Sequence, residues 1–294
     1  VVIELRARFD EEANLEWKEE LEEAGVKVLL GVHNMKVHAK LCLIKKVVNK
    51  QTTHYGFVST GNLNENTAKI YGDHCLLTSD RNIMADVNRM FNYLEQPKTR
   101  LKVLRSCKTL MVSPVSMRKQ IMALIDREIK IAKTGKPAAI TLKLNSLSDI
   151  ALITKLNEAA KAGVELKMLI RGICCMMTEN VKFKIPVQAI SIVDEYLEHA
   201  RVMIFHNGGK EKTFISSADW MVRNIDHRIE AACPIIEKGI QQELKDILQI
   251  QLRDNIKARL LDNELSNQYI NPRNTKKIRS QVEIYNYLFR KLST

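Results

Sequence analysis

Five landmarks in this sequence occur twice and in the same order. A strand-forming run at residues 1–8 has a counterpart at 139–144, and a helix-forming segment follows each, at 11–24 and 148–161. Ala24-Gly25-Val26 is matched by Ala162-Gly163-Val164, VHAKLCLI (37–44) by EHARVMIF (198–205), and Ser59-Thr60-Gly61-Asn62 by Ser216-Ser217-Ala218-Asp219. An ordered repeat of this size implies two similar α/β domains packed about a pseudo-twofold axis.

Local signals fill in the elements. In the first half, strands are expected at 1–8, 26–30, 37–48 and 53–60, the last two as a hairpin, with a further strand closing at Leu76-Leu77. Helices are expected at 11–24, capped by Asp10 and ended by Gly25, and at 80–94, ending before Pro97. The polar, basic stretch 96–108 reads as a linker, which gives domains at 1–100 and 108–294. In the second half a helix at 116–134 follows Pro114 and stops at Gly135-Lys136-Pro137. Ser148 is the expected cap of the helix through Lys161, a strand runs over 165–171, and Gly208-Gly209 reads as a hairpin turn. The chain opens on Val1-Val2-Ile3, which reads as strand without an initiator Met, so upstream residues are expected.

The chemistry concentrates in the repeated strand. His38-Ala39-Lys40 places an imidazole and a cation two residues apart, on one face of an extended chain, and His199-Ala200-Arg201 repeats the arrangement. Phosphoryl transfer needs such a pair: a group titrating near neutrality, and fixed positive charge on the phosphate oxygens. Ser59 lies 21 residues beyond His38, and Ser216 lies 17 beyond His199. Each begins a small, polar segment able to return to the histidine face and donate hydrogen bonds to a phosphate or to the imidazole. His33, His54, His74, His206 and His227 have no cation two residues on and read as locally satisfied or surface side chains.

Bulk properties agree with a polyanion as partner. The formal net charge is +12, while aromatic residues make up only 5%, too few for a stacking platform for single-stranded nucleic acid. No apolar run is long enough to span a bilayer, and no signal peptide is expected. The six cysteines form no CxxC pair and read as buried, reduced thiols of a cytosolic protein.

Two HxK-type motifs, each followed by a small-polar segment, resemble the phospholipase D superfamily, although no Asp follows Lys40 within 41–45. A closer resemblance is carried by LRARFDEEANLEW (5–17), STGNLNENTAKIYGDHCLLT (59–78), LIRGICC (169–175), AISIVDEYLEHARV (189–202), SSADWMVRNIDHRIE (216–230) and KARLLDNELSNQYI (257–270). Over essentially the whole chain the sequence is similar to bacterial polyphosphate kinases. That resemblance implies two repeated phospholipase-D-like α/β domains with mixed sheets flanked by helices. It implies reversible transfer of the ATP γ-phosphate to polyphosphate through phosphohistidine on His38, with Mg²⁺. By the same resemblance His199, Tyr71 and Arg171 contact ATP, Lys40 and Arg201 offset phosphate charge, and Arg8 lies on the phosphate side of the magnesium site. Phe57 stands where some members carry a histidine. The resemblance also implies a homo-oligomer in the cytoplasm with peripheral contact at the inner membrane, no nucleic acid partner, further domains upstream, and poor activity of residues 1–294 alone. Two rival readings stay open from the residues: a phospholipase-D-like phosphodiesterase or nuclease, and a non-catalytic polyanion-binding module.

Overall fold

The computed structural model describes residues 1–4, 11–32, 34–96, 101–271 and 276–292. The first half runs β1 (Val2–Ile3), α1 (Glu11–Glu23), β2 (Leu29–Leu30), β3 (Lys36–Val37), β4 (Lys40–Val48), β5 (Gln51–Ser59), α2 (Glu65–Ala68), β6 (Tyr71–Gly72), β7 (Cys75–Thr78) and α3 (Arg81–Glu95). A short helix, α4 (Leu101–Arg105), leads into the second half. There follow β8 (Met111–Ser113), α5 (Met117–Lys133), β9 (Ala139–Leu144), α6 (Ile150–Ala162), β10 (Glu165–Ile170) and β11 (Gln188–Ile192). Then come β12 (Leu197–Glu198), β13 (Arg201–Phe205), β14 (Lys212–Ser216), α7 (Val222–His227), β15 (Arg228–Ile235), α8 (Lys238–Leu252), β16 (Ala258–Leu260) and α9 (Ser280–Leu292).

The second half is built on one mixed sheet in the order β16-β11-β10-β9-β13-β14-β15-β3, with β8 also pairing β15. Along β13 the side chains alternate, as the twofold period of a strand requires. Met203 and Phe205 enter a core under α5 and α6, while Val202 and Ile204 enter a second core on the opposite face. That second core is shared between the halves, because Ile83, Met84, Val87 and Met90 of α3 join Leu244 and Leu248 of α8 there.

Helix α3 forms where the sequence indicates. Asp80 accepts hydrogen bonds from the Asn82 and Ile83 amides, and the buried Ile83, Val87, Met90 and Leu94 make one stripe. Helix α6 ends at Gly163, which adopts the left-handed conformation with φ 99°. Its cap is Asp149 rather than Ser148: the Asp149 carboxylate accepts from the Leu152 amide and is also held by Arg118.

Other expectations are corrected. The strand read over 37–48 is two strands interrupted at His38-Ala39. The linker is partly the helix α4, whose Leu104 is fully buried; residues 97–100 lie outside the described residues. The strand at 1–8 is described only at Val2–Ile3, and its remainder, with Arg8 and Asp10, falls outside the described residues, as does His33. Asn207–Gly209 forms a short 3-10 turn joining the antiparallel β13 and β14, at the expected hairpin. All six cysteines are free thiols, but Cys75 and Cys175 are exposed rather than buried. Among the described residues, no helix is long and apolar enough to cross a membrane.

One buried carboxylate ties α3 to the start of the second half. Asp86 of α3 is fully buried, and its Oδ2 accepts from the amides of Lys108, Thr109 and Leu110 at 2.6–3.0 Å. Asp86→Ala takes the acceptor from three amides, that of Leu110 buried and the other two partly buried, and is expected to lower unfolding stability by about 3 kcal/mol, read from the denaturant midpoint at constant m-value.

Candidate functional site

Each histidine sits in the two-residue gap between a very short strand and a longer one. His38 and Ala39 separate β3 from β4, and His199 and Ala200 separate β12 from β13. The short strands cross over to the other half. β3 pairs in parallel with the start of β15, and β12 pairs in parallel with β6. The amides of His38 and Ala39 both donate to Ile229 O at 2.9 Å, while those of His199 and Ala200 donate to Gly72 O at 3.2 and 2.9 Å. The repeat seen in the sequence is thus repeated in the hydrogen bonds, with each histidine anchored on the opposite half.

The next residue along each anchoring segment is a carboxylate. His38 Nδ1 lies 2.9 Å from Glu230 Oε2, and His199 Nδ1 lies 2.8 Å from Asp73 Oδ2. Hydroxyls from the small-polar segments hold those carboxylates. Thr60 Oγ1 donates to Asp73 Oδ1 at 2.6 Å, and Ser217 Oγ donates to Glu230 Oε2. The hydroxyls of these segments rest on the carboxylates, so of the two partners expected from the sequence, a phosphate or the imidazole, the direct bond to the imidazole is not made among the described residues. Asp73 and Glu230 were not picked out there: each is one acid among 34, and nothing local links it to its histidine.

The cations sit as the two-residue spacing requires. Lys40 Nζ donates to His38 O at 2.6 Å, and Arg201 Nη1 donates to His199 O at 2.9 Å. Arg201 is buried and paired with Asp219 at 3.0 Å, and its Nη1 stands 3.0 Å from His199 Nε2. The charges of Lys40 and Arg201 each act on both imidazoles, so the four groups share one electrostatic environment. Burial holds both imidazoles below their ordinary pKa, against the opposing pull of Glu230 on His38 and of Asp73 on His199. Burial also pushes Lys40 down to about 7.

Tyr71 and Arg171 flank His199. The Tyr71 ring lies 5.0 Å from the imidazole, centroid to centroid. Arg171 Nε donates to Asn145 Oδ1 at 3.0 Å and to Glu198 O at 3.1 Å. Arg228 occupies the strand position beside His38 that Tyr71 occupies beside His199, since Lys36 is registered with Arg228 as Leu197 is with Tyr71. Only the strand register reveals Arg228. Among the described residues, no group of three or more His, Cys, Asp or Glu side chains is arranged to hold a metal ion. Asp73 and Glu230 are already committed to imidazoles, so the donor set suits a cation carried on phosphate oxygens better than one ligated by protein.

Fold and site together define a two-lobed α/β protein in which each lobe carries a histidine braced by the other lobe's carboxylate and paired with a cation. The family described as polyphosphate kinase C-terminal domain 1 matches residues 1–100, and polyphosphate kinase C-terminal domain 2 matches residues 110–281. The chain is 49% identical over 288 residues to a polyphosphate kinase of Vibrio cholerae and 46% identical to that of Escherichia coli, covering 98% of this chain in each case. The structure of polyphosphate kinase from Porphyromonas gingivalis superposes with a TM-score of 0.89 at 41% identity, over 99% of this chain and 44% of that one. The chain belongs to the polyphosphate kinase family, and it spans about two fifths of the length of the curated relatives it matches.

Two outcomes are expected from this geometry. A Cβ on Gly61 would stand 2.0 Å from Asp73 Oδ2, so Gly61→Ala must displace that carboxylate. Loss of Asp73 removes the influence that raises the His199 pKa, and an NMR titration should show His199 moving lower still while His38 holds its value. Lys40 carries its charge below about pH 7 and loses it as the pH rises through that value. Pyrophosphate binding should therefore weaken by up to about tenfold per pH unit above that point, and Lys40→Arg should flatten the dependence.

Proposed function

We propose that this chain holds the phosphotransfer site of an ATP:polyphosphate phosphotransferase, working reversibly through phosphohistidine on His38. The observation that carries the reading is the crossed bracing of two half-buried imidazoles within one cluster of cations, in a chain of this family.

Roles follow from the hydrogen bonds. Glu230 accepts from His38 Nδ1–H, which leaves the Nε2 lone pair as the nucleophile. Burial keeps that ring neutral near pH 7. Nε2 attacks the γ-phosphorus in line, an N–P bond forms, the P–O bond to the β-phosphate breaks, and ADP leaves with the electron pair on its β-oxygen. The terminal oxygen of polyphosphate then attacks the same phosphorus and the N–P bond breaks, returning the lone pair to His38. Lys40, Arg201 and Arg228 offset charge on the transferring group. Arg171 has Nε committed to Asn145 and Glu198, which leaves its terminal nitrogens for nucleotide phosphates, and Tyr71 offers a ring face beside them. His199, supported by Asp73, protonates or orients the leaving oxygen. Magnesium, bound to phosphate oxygens, would neutralise part of their charge, and Arg8 would lie on the phosphate side of that ion. A cytoplasmic setting, peripheral contact with a membrane and a homo-oligomer complete the reading taken from the family resemblance.

The test is γ-labelled ATP with magnesium, on the longest polypeptide that carries these residues. His38→Ala should abolish both acid-labile label and turnover. His199→Ala should lose about 10²–10⁴-fold in turnover and retain slow labelling. Full labelling of His38→Ala would place the nucleophile elsewhere, and metal-independent release from a phosphodiester without label would favour a diesterase.

A further inference from the structure

The two histidine segments differ in what stands directly before the imidazole. Before His38 stands Val37, packed against the core shared by the halves. Before His199 stands Glu198, whose carboxylate is held by side chains from three elements. Its Oε2 accepts from Lys143 Nζ on β9 and from Gln251 Nε2 at the end of α8, at 2.6 Å in the second case. Its Oε1 accepts from Gln281 Nε2 at the start of α9, at 2.9 Å. Lys143 and Gln251 are buried, and Lys143 also donates to Gln251 Oε1 at 3.1 Å.

The same end of α9 holds the stretch leading to Glu198. Arg279 makes a bidentate pair with Asp194 at 2.8 Å, and Gln281 exchanges hydrogen bonds with the Tyr196 amide and carbonyl at 3.0 and 2.7 Å. The backbone of Glu198 meanwhile faces the site: its carbonyl accepts from Arg171 Nε, and its neighbour is His199. A buried ion pair is a poor source of stability, because desolvating both charges offsets most of their attraction, but it tolerates little displacement. Burying this pair behind one histidine, where the repeat offers an apolar alternative at Val37, fits a demand for geometry better than one for stability.

We propose that Glu198 is a positioning residue, clamped by Lys143, Gln251 and Gln281 so that its backbone sets His199 and aims Arg171 at the nucleotide. The proposal rests on the roles given to those two residues above.

The experiment compares Glu198→Gln, Gln281→Ala and the double variant Lys143→Met/Glu198→Leu in the longest polypeptide that carries these residues. It reads histidine imidazole NMR signals, kcat and KM for ATP, and the thermal midpoint. Both single variants should shift the His199 signals and leave those of His38 in place. They should lower kcat/KM for ATP by about tenfold or more, chiefly through KM. The double variant removes the unpaired charge, so its midpoint should return to the parental value while kcat/KM stays low. Recovery of both midpoint and kcat/KM in the double variant would overturn the proposal. So would folded single variants with unmoved His199 signals. If the parent protein takes no phosphate from ATP, the kinase reading falls by itself, and the His199 signals still decide whether Glu198 positions that residue.

Discussion

Two hydrogen bonds that cross between the halves, His38 to Glu230 and His199 to Asp73, organise this molecule. An imidazole in a half-buried site has two nitrogens to satisfy, and a carboxylate on one fixes the tautomer and frees the other. Here the carboxylate always comes from the opposite half. The parallel pairings of β3 with β15 and of β12 with β6 set its register, and Ser217 or Thr60 fixes its rotamer. Neither half holds a braced histidine alone, so joining the halves and assembling the site are one event. The shared core, where α3 packs against the sheet of the second half, makes that joining favourable.

The pseudo-symmetry holds in the backbone pairing around the two histidines and is broken in the side chains. Arg228 faces the His38 segment where Tyr71 faces His199, Lys40 stands where Arg201 does, and Val37 where Glu198 does. The His38 side therefore carries two cations, and the His199 side combines an aromatic ring with a firmly held guanidinium. A duplicated unit can diverge in this way because the strand pairings, made by backbone groups, place no demand on the side chains that project from them.

Local elements were readable from the sequence where one segment contains both signal and partner. Helix α3 is specified by Asp80 and a stripe of apolar residues, and the end of α6 by Gly163. The errors share a cause. Ser148 and Asp149 are both competent caps, and the choice went to Asp149, which Arg118 reaches from another helix. Residues 37–48 alternate as one strand should, yet His38-Ala39 leaves the ladder because its amides pair with Ile229. The 96–108 stretch reads as polar, but Leu104 gains a buried site only when the halves pack.

The sequence by itself determined the duplication, the α/β class and the two histidine–cation pairs, because repeats and strand periodicity are properties of neighbouring residues. Tertiary structure decided which acids serve those histidines. Glu230 lies 192 residues from His38, and Asp73 lies 126 from His199, across a fold boundary that no local pattern spans. It also decided the charge states, because the desolvation that lowers both imidazoles and brings Lys40 to about 7 exists only once the halves close over them.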